Sequence, residues 1–527
     1  MRLHAILVLL PSAYAFQIQF PFKIPKFFSS EGITLEAVEN PPPPSATPRI
    51  AIIGAGAGGT SAAFWISKAK ERFGLDVEID VYESNDYVGG RSITVYPYND
   101  TSLPELELGA SIFVQANKNL WRASDEFNLT RKDFDDENTE TAIWDGESIL
   151  VSFSGSWWDT AKVLWRYGFL SPKRTVSYVN TMIDQFLTLY GVATPKWDSV
   201  GDLASQLGWS GLVNATTVDY LLKEGVSEKY IKEVVEAATR VNYGQDTDHI
   251  HALEGACSMA ANGASGIKGG NFLIFEQFLN HSGANVYLNT PVSRITPKSS
   301  EQSQLWSVKS VRGTVDYKSV ILAAPFHSTG IKLPLVLTEQ IPAQPYVNLH
   351  VTLLTTTSPT PNPEYFGLSA STEAPRMILT TNETAKTGGA KLDFNSLTYH
   401  GLVREGEWAV KIFSDHEIAD EWLDHMFRGK VGWVLRKQWD AYPKLPPTSQ
   451  FPPVKLDQGF YYVNSFEPFI STMETETISS RNLVDLLLND EFGSSICDQT
   501  ISASSEEKQP AETSSPDVKD FVFGWDC

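Results

Sequence analysis

The stretch IAIIGAGAGGTSAAFW at positions 50–65 decides the fold of this chain. Four apolar residues predict a buried strand, and Gly54, Gly56 and Gly59 follow at the G-x-G-x-x-G spacing. The first glycine permits a tight turn, the second lets a diphosphate approach the backbone, and the third allows close packing of helix on strand. A helical segment at Thr60–Phe73 then directs the positive end of its dipole at the phosphates.

The continuation at positions 76–92, DVEIDVYESNDYVGGRS, completes a βαβ unit. Val77–Tyr82 predicts a second strand, and Glu83 follows it, placed to accept hydrogen bonds from the ribose hydroxyls of a dinucleotide. Val320–Ala323 predicts a further buried strand, so we expect an α/β protein with a Rossmann-like parallel sheet. The alternatives are a glycine loop of an unrelated α/β protein and a solvated charge at Glu83.

Composition excludes some partners. The chain has 527 residues, of which 42% are hydrophobic, enough for a large core. Its 42 Lys and Arg against 63 Asp and Glu give a net charge of -21, which repels nucleic acid. The three cysteines, Cys257, Cys497 and Cys527, have no metal-binding spacing, and their odd number leaves at least one thiol unpaired within the monomer.

The first residues predict export. Arg2, an apolar run and then Ala13-Tyr14-Ala15 predict a signal peptide over residues 1–15; the alternative is a hydrophobic tail anchored in the fold. No later run is long and apolar enough to span a bilayer. We expect the secretory pathway, ending in a vacuole or lysosome or outside the cell. Four sequons predict glycosylation: Asn99, Asn128, Asn214 and Asn382.

Further segments resemble a known superfamily. Gly89-Gly90-Arg91, after Glu83, is similar to the turn near the FAD phosphates in the amine oxidase and phytoene desaturase superfamily. Gly109-Ala110-Ser111 resembles the turn that passes the isoalloxazine, and Val292 maps onto a valine whose backbone contacts the adenine. The resemblance implies that the cofactor is FAD.

Five further segments occur in order along the chain: VLWRYGF (163–169), RVNYGQDTD (240–248), KGGN (268–271), WAVKIFS (408–414) and DAYPKLPP (440–447). Together they resemble the prenylcysteine oxidase family, over about Pro48 to Leu488. In the closing segment, the resemblance maps Glu467, Met473 and Glu474 onto flavin-binding positions. Pro468-Phe469-Ile470 and Lys268 depart from the family pattern, and these departures concern the fit of the substrate.

The resemblance implies oxidative cleavage of the thioether of farnesyl- or geranylgeranyl-cysteine. Hydride leaves the carbon next to sulfur for the flavin, water adds, and cysteine, an isoprenoid aldehyde and, after reoxidation by molecular oxygen, hydrogen peroxide are formed. Alternatives are an FAD oxidase of an amine or another lipid, and a secreted flavin-bound lipid carrier without activity.

Several side chains are candidates for the substrate site. Trp165 and Tyr167, with the neighbouring Trp157 and Trp158, would line an isoprenoid tunnel or a membrane-facing lip, or fill the core. Tyr243 and Gln245 belong to the segment RVNYGQDTD and are substrate candidates. The remaining candidates are His249 and His251, as proton shuttles or structural residues, and Cys257, as a covalent flavin attachment or a small buried residue.

The predicted organisation interleaves two domains. A linker at residues 16–47 precedes the first part of the FAD-binding domain at 48–150, which continues at 284–335 and closes at 456–497. The substrate domain has a helical part and a second part with sheet, and Ser227 caps a helix in the first. These parts cover residues 151–283 and 336–455, and residues 498–527 are predicted to be a disordered tail.

Overall fold

The computed structural model describes residues 47–134, 140–154, 157–261, 263–299, 304–497 and 521–527. The predicted signal peptide, the linker up to residue 46 and residues 498–520 of the predicted tail lie outside the described residues, as do the side chains of Trp157 and Trp158.

The strands of the described residues alternate with helices in the first part of the chain and form long antiparallel runs later. They are β1 Arg49–Ile53, β2 Glu78–Tyr82, β3 Thr94–Val95, β4 Leu106–Glu107, β5 Arg131–Asp133, β6 Thr141–Trp144, β7 Ile149–Phe153, β8 Ser265–Ile267, β9 Asn285–Tyr287, β10 Val292–Ser299, β11 Gln304–Ser310, β12 Gly313–Tyr317, β13 Ser319–Leu322, β14 Tyr346–Thr356, β15 Met377–Thr380, β16 Ser396–Arg404, β17 Glu407–Ser414, β18 Val431–Pro443, β19 Lys455–Asp457 and β20 Phe460–Tyr462.

The helices concentrate between β7 and β8. The α-helices are α1 Ala57–Phe73, α2 Lys118–Glu126, α3 Trp157–Tyr167, α4 Leu170–Leu187, α5 Val200–Gln206, α6 Ser210–Val213, α7 Thr217–Lys223, α8 Glu228–Tyr230, α9 Glu236–Tyr243, α10 Ala252–Met259, α11 Phe272–Asn280, α12 Phe326–Thr329, α13 Leu335–Thr338, α14 Glu383–Lys386, α15 Asp420–Met426 and α16 Met473–Phe492. A π-helical turn, Ile231–Val235, joins α8 to α9, and 3₁₀ turns lie at Pro97–Asn99, Thr188–Tyr190, Pro363–Phe366 and Val463–Ser465.

The six-stranded sheet is the predicted Rossmann-like sheet, with strand order β19-β20-β13-β1-β2-β9. Its strands pair in parallel except at the β19–β20 edge. Central strand β1 is buried on both faces, because one face packs in a cluster with α1 and the other in a cluster with the three-stranded sheet β10-β11-β12. In register, Ile52 lies opposite Val81 on one side and Ile321 on the other. The predicted strands and crossover helix are confirmed.

The seven-stranded sheet supplies the second domain, with order β18-β14-β17-β16-β15-β6-β7. It is antiparallel except where β6 pairs with β15. Strand β6 belongs to this sheet, although the sequence placed it in the FAD-binding domain, and β7 crosses the boundary that the sequence placed at residue 150. Helix α11, predicted to lie in the substrate domain, packs on α1 of the FAD-binding domain; the ring centroids of Phe64 and Phe278 are 4.9 Å apart.

The helical part of the substrate domain follows the predicted pattern. The Ser227 hydroxyl caps α8 by accepting from the backbone N–H of Tyr230 at 3.4 Å. Ile231, Val235 and Val241 are buried on the helical run that follows. The π-helical turn adds a residue within this run, which periodicity alone did not reveal.

The C-terminal segment 521–527 corrects the prediction of a disordered tail over residues 498–527. Cys527 forms a disulfide with Cys497 at the end of the FAD-binding domain. The Trp525 ring lies 4.9 Å from the Phe64 ring, and the Phe523 N–H donates to the carbonyl of Tyr190 at 2.8 Å. Few apolar residues suffice to order the segment because the disulfide and the aromatic cluster hold it together.

No helix within the described residues is long and apolar enough to cross a membrane.

Candidate active site

The glycine-rich turn after β1 has the geometry that the sequence predicts. Gly54 has φ +111°, and a Cβ there would lie 2.5 Å from the carbonyl oxygen of Ala323. A Cβ on Gly59 would lie 1.9 Å from the Gly54 carbonyl oxygen, so helix and turn contact each other directly. At Gly56 the nearest atom to such a Cβ is the Gly90 Cα at 3.7 Å, which leaves backbone exposed to the cavity beside it.

Glu83 lies where β2 ends and connects the turn to the next loop. One carboxylate oxygen accepts the backbone N–H of Ala55 at 2.8 Å, and the other accepts the backbone and side-chain N–H groups of Asn85 at 2.8 and 2.7 Å. These bonds fix the carboxylate on the wall of the large cavity. Its contact with a ribose stays a prediction.

The Gly-Gly-Arg turn faces the glycine-rich turn. Gly89 and Gly90 have φ of +119° and +59°, and the Gly89 N–H donates to the Ala55 carbonyl at 2.9 Å. Arg91 forms an ion pair with Glu467 at 2.5 Å and also donates to the Ala441 carbonyl at 3.1 Å. Burial lowers the pKa of Arg91, but the charge and hydrogen bond of Glu467 together with Tyr346 and Glu476 raise it by more, so the guanidinium stays charged.

The turn at Gly109-Ala110-Ser111 contacts a buried lysine that the sequence analysis missed. Ala110 lines the large cavity, and the Ser111 hydroxyl donates to the Gly109 carbonyl at 2.6 Å. Lys411 on β17 donates to Ser111 Oγ at 3.0 Å and to the carbonyl of Glu107 at 2.9 Å. Burial lowers the pKa of Lys411 and raises that of the Glu107 carboxyl. The sequence signal that could have identified Lys411 is its charge within the otherwise apolar segment WAVKIFS.

The predicted residues of the closing segment have two different roles, at the large cavity and at the start of α2. Met473 begins α16 and lines the large cavity, and Glu467 binds Arg91. Glu474 instead accepts the backbone N–H groups of Asn119 and Leu120 at 2.8 and 3.0 Å. Burial raises its pKa to about 7. Glu474 thus holds the start of α2, a role that its mapping onto a flavin-binding position did not predict.

One large cavity of about 380 Å³ brings together most of the predicted cofactor residues. Five predicted residues are not among its lining residues: Gly59, Gly109, Ser111, Glu467 and Glu474, of which Glu474 lines the smaller cavity described below. The predicted residues that line it are Gly54, Gly56, Glu83, Gly89, Gly90, Arg91, Ala110, Val292 and Met473. The contact of the Val292 backbone with an adenine stays a prediction.

The residues of this cavity fit FAD. The first turns of α1 and α16 both line it, so the positive ends of two helix dipoles are available to a diphosphate. Glu83 stands at one part of the wall and Arg91 at another, as an elongated dinucleotide requires. The cradle between Gly56 and Gly90 is free of side chains, which allows close backbone approach.

A smaller apolar cavity of about 100 Å³ adjoins the first one, since Thr472 and Met473 line both. Its lining includes Tyr243, one of the four predicted substrate residues, and Cys257. Other apolar members are Ile112, Phe113, Leu120, Met182, Ile183, Phe186 and Ile470, and polar ones include Asn117, Asn242 and Ser258. The departure at Pro468-Phe469-Ile470 therefore contributes Ile470 to this wall, while Lys268 is exposed and outside both linings.

The other predicted substrate residues lie outside both linings. Trp165 is 89% exposed, and the buried Tyr167 donates its hydroxyl to Glu233 at 2.8 Å. Gln245 is engaged by the backbone, donating to the carbonyl of Pro443 at 3.1 Å and accepting the N–H of Leu445 at 2.9 Å. These contacts are structural, and local sequence patterns did not distinguish them from substrate contacts.

The two histidines differ in environment. His249 is exposed, whereas His251 is buried and caps α10, its ring Nδ1 accepting the N–H of Glu254 at 3.2 Å. Burial lowers the pKa of His251 to about 4, so the ring is neutral, in agreement with the structural alternative. Glu254 itself was missed: it is fully buried, and desolvation raises its pKa to about 8.

Comparison with known proteins assigns the family. A family model described as prenylcysteine lyase matches residues 151–499, about two thirds of the chain. The chain belongs to the prenylcysteine lyase family. A second model, the NAD(P)-binding Rossmann-like domain, matches residues 52–127, in agreement with the first βαβ unit.

Relatives and solved structures extend this result. Farnesylcysteine lyase of Arabidopsis thaliana is 29% identical over 500 residues, covering 90% of this chain and 94% of its own. Human prenylcysteine oxidase 1 is 28% identical over 460 residues, covering 82% and 87%. In fold, the chain resembles putrescine oxidase (TM-score 0.54, 16% identity, 84% of this chain and 100% of that one) and Brevibacterium oxydans cyclohexylamine oxidase (0.54, 13%, 88% and 100%).

Proposed function

We propose that this member of the prenylcysteine lyase family is an FAD-dependent oxidase of prenylcysteines. It cleaves the thioether with oxygen and water, giving cysteine, an isoprenoid aldehyde and hydrogen peroxide. The observation that carries the proposal is the apolar cavity that adjoins the FAD cavity, with Thr472 and Met473 lining both. An isoprenoid chain bound in the apolar cavity would bring the carbon next to sulfur toward the FAD cavity.

The chain's own residues bind and orient the reactants. When bound, FAD accepts a hydride from the substrate and passes electrons to oxygen. Met182 and Phe186 of α4 provide apolar surface for the isoprenoid chain and exclude water from it. Asn117 and Asn242 provide polar groups on the same wall for the amino acid end of the substrate.

A proton is held next to the apolar cavity. Tyr243 lines this cavity and lies beside Glu254, whose Oε1 accepts the N–H of Ser471 at 3.1 Å. Because burial raises the pKa of Glu254 to about 8, its carboxyl stays protonated at neutral pH. Tyr243 on the wall and the protonated Glu254 next to it therefore add no charge to this part of the apolar cavity, which suits an isoprenoid chain.

Anaerobic titration of the holoprotein with farnesylcysteine tests the function. We expect the flavin absorbance to bleach and to return in air, with cysteine, farnesal and hydrogen peroxide formed in equal amounts and no nicotinamide cofactor required. Release of farnesol without peroxide would identify a hydrolase. Turnover of amines with farnesylcysteine ignored would leave a general FAD oxidase, and lipid binding without bleaching would leave a carrier.

Export into the secretory pathway is the second part of the proposal. The Cys497–Cys527 disulfide supports it, because such bonds persist in oxidising compartments. The sequons at Asn99, Asn128 and Asn214 lie on exposed side chains and support it too. The amide nitrogen, which is the glycan attachment atom, donates to the Ser210 carbonyl at 2.8 Å in the exposed Asn214 and to Asp246 at 3.1 Å in the half-buried Asn382, so Asn382 fits less well. Glycan release by an endoglycosidase and organelle fractionation test this part and its destination, a vacuole, a lysosome or the exterior.

A peripheral membrane contact is the third part. At the corner between α3 and α4, Trp165, Phe169 and Leu170 are 89, 50 and 57% exposed, and Lys162 and Lys173 lie nearby. Exposed aromatic and basic side chains of this kind favour the interface of an anionic bilayer, from which a prenylcysteine would be taken up. Loss of co-sedimentation with anionic vesicles in Trp165→Ser, with flavin content unchanged, is the expected result.

A further inference from the structure

Glu476 is a buried acid on the wall of the FAD cavity. It lies in the first turn of α16, is 8% exposed, and lines the cavity together with Ser471, Thr472 and Met473. Its Oε1 is buried and has no hydrogen-bond partner among the described residues. Its Oε2 lies beside the first turn of α1, 3.0 Å from where a Cβ on Gly58 would sit.

The hydrogen-bond donors around Glu476 are taken by another acid. Glu467 receives the Arg91 guanidinium at 2.5 Å, the Tyr346 hydroxyl at 2.7 Å and the Asn464 side-chain N–H at 3.2 Å. One cation thus faces two carboxyl groups in this part of the cavity, and Glu467 holds it. Glu476 is left with a buried Oε1 that has no partner among the described residues, while its Oε2 lies beside the first turn of α1, on the wall of the cavity.

A charged Glu476 would conflict with the cofactor. The first turn of α1 is where a dinucleotide places its diphosphate, so a carboxylate there would repel two further negative charges. Burial and the charge of Glu467 both raise the pKa of Glu476, and Arg91 offsets this only in part. Tyr462, which also faces this group, adds no cation.

We propose that Glu476 stays a neutral carboxylic acid in the FAD-bound protein and donates its O–H to an oxygen of the cofactor's diphosphate. The proton removes the charge from a carboxyl group whose buried Oε1 has no partner among the described residues, and an O–H on Oε2, beside the first turn of α1, binds the anion. The inference concerns cofactor binding and does not depend on which substrate is oxidised.

The test measures FAD release from the holoprotein by the fluorescence of free flavin, between about pH 5 and about pH 9. For the wild type we expect the Kd for FAD to rise at least about tenfold toward high pH, as Glu476 loses its proton. Glu476→Gln keeps a donor at every pH and should show a nearly flat profile. Glu476→Ala should bind weakly throughout, and Glu71→Gln, on the exposed surface of α1, serves as the matched control.

A flat wild-type profile would overturn the inference without reference to any variant. So would a Glu476→Gln protein whose FAD release follows the wild-type pH profile, or a Glu476→Ala protein that binds FAD as tightly as the wild type at low pH. Far-UV circular dichroism establishes that each variant folds. A wild-type protein purified without FAD and unable to take it up would overturn the inference together with the cofactor, whereas failure to oxidise farnesylcysteine would affect only the proposed function.

Discussion

Replacing Cys527 with serine should weaken the closure of the FAD-binding domain. The Cys497–Cys527 disulfide spans 30 residues of sequence. For a loop of this length, the chain-entropy relation gives about 3.6 kcal/mol of stabilisation at 25 °C. Serine leaves the packing of Trp525 against Phe64 in place, so the loss reports on the cross-link itself.

Urea unfolding, followed by flavin release and by circular dichroism, measures this loss under non-reducing conditions. Cys527→Ser, Cys497→Ser and the double variant should lose the same free energy of unfolding, because any of them removes the one bond. A reductant should bring the wild type to the same value and leave the variants unchanged. A chain that ends at Cys497 should lose roughly 2 kcal/mol more, from the apolar contacts of Trp525.

Equal unfolding midpoints for oxidised wild type and Cys527→Ser would refute this reasoning, as would additive losses in the double variant. A truncated protein that keeps full stability and flavin would show that segment 521–527 contributes nothing, in agreement with the disordered tail that the sequence predicts.

Three further predictions concern the two cavities. Gly56→Val should give a folded protein without flavin absorbance, because its methyl groups would enter the gap toward Gly90, whereas Gly211→Val, at a position with open space, should stay yellow. Glu254→Gln should stabilise the protein relative to the wild type by up to about 5 kcal/mol at high pH. In the wild type, the contribution of Glu254 to the free energy of unfolding is fully present below the unfolded pKa near 4.5 and is lost as pH rises through about 8. The melting temperatures of the two proteins, measured from acid to alkaline pH, should therefore diverge. Parallel curves would contradict the raised pKa of Glu254. Met182→Trp should fill the apolar cavity and lower kcat/KM for farnesylcysteine at least about tenfold with flavin content unchanged; an unaltered kcat/KM would place the substrate elsewhere.

The sequence by itself determined the cofactor half of the protein. The first βαβ unit could be predicted because its signals are local: an apolar strand, glycines at fixed spacing and an acid at the next strand end. The same holds for Arg91, since two glycines before it fix a turn whatever lies around it. Family-like segments identified the family because several of them occur in order along the chain.

The tertiary structure decided what depends on distant parts of the chain. Glu474 binds the start of α2, and Gln245 binds backbone near Leu445, contacts that no local pattern encodes. Lys411 reaches the Ser111 turn because two domains meet there. The partner of Cys527 and the neutral state of Glu476 follow from groups brought together only by folding, since pairing, burial and charge balance are properties of three-dimensional surroundings.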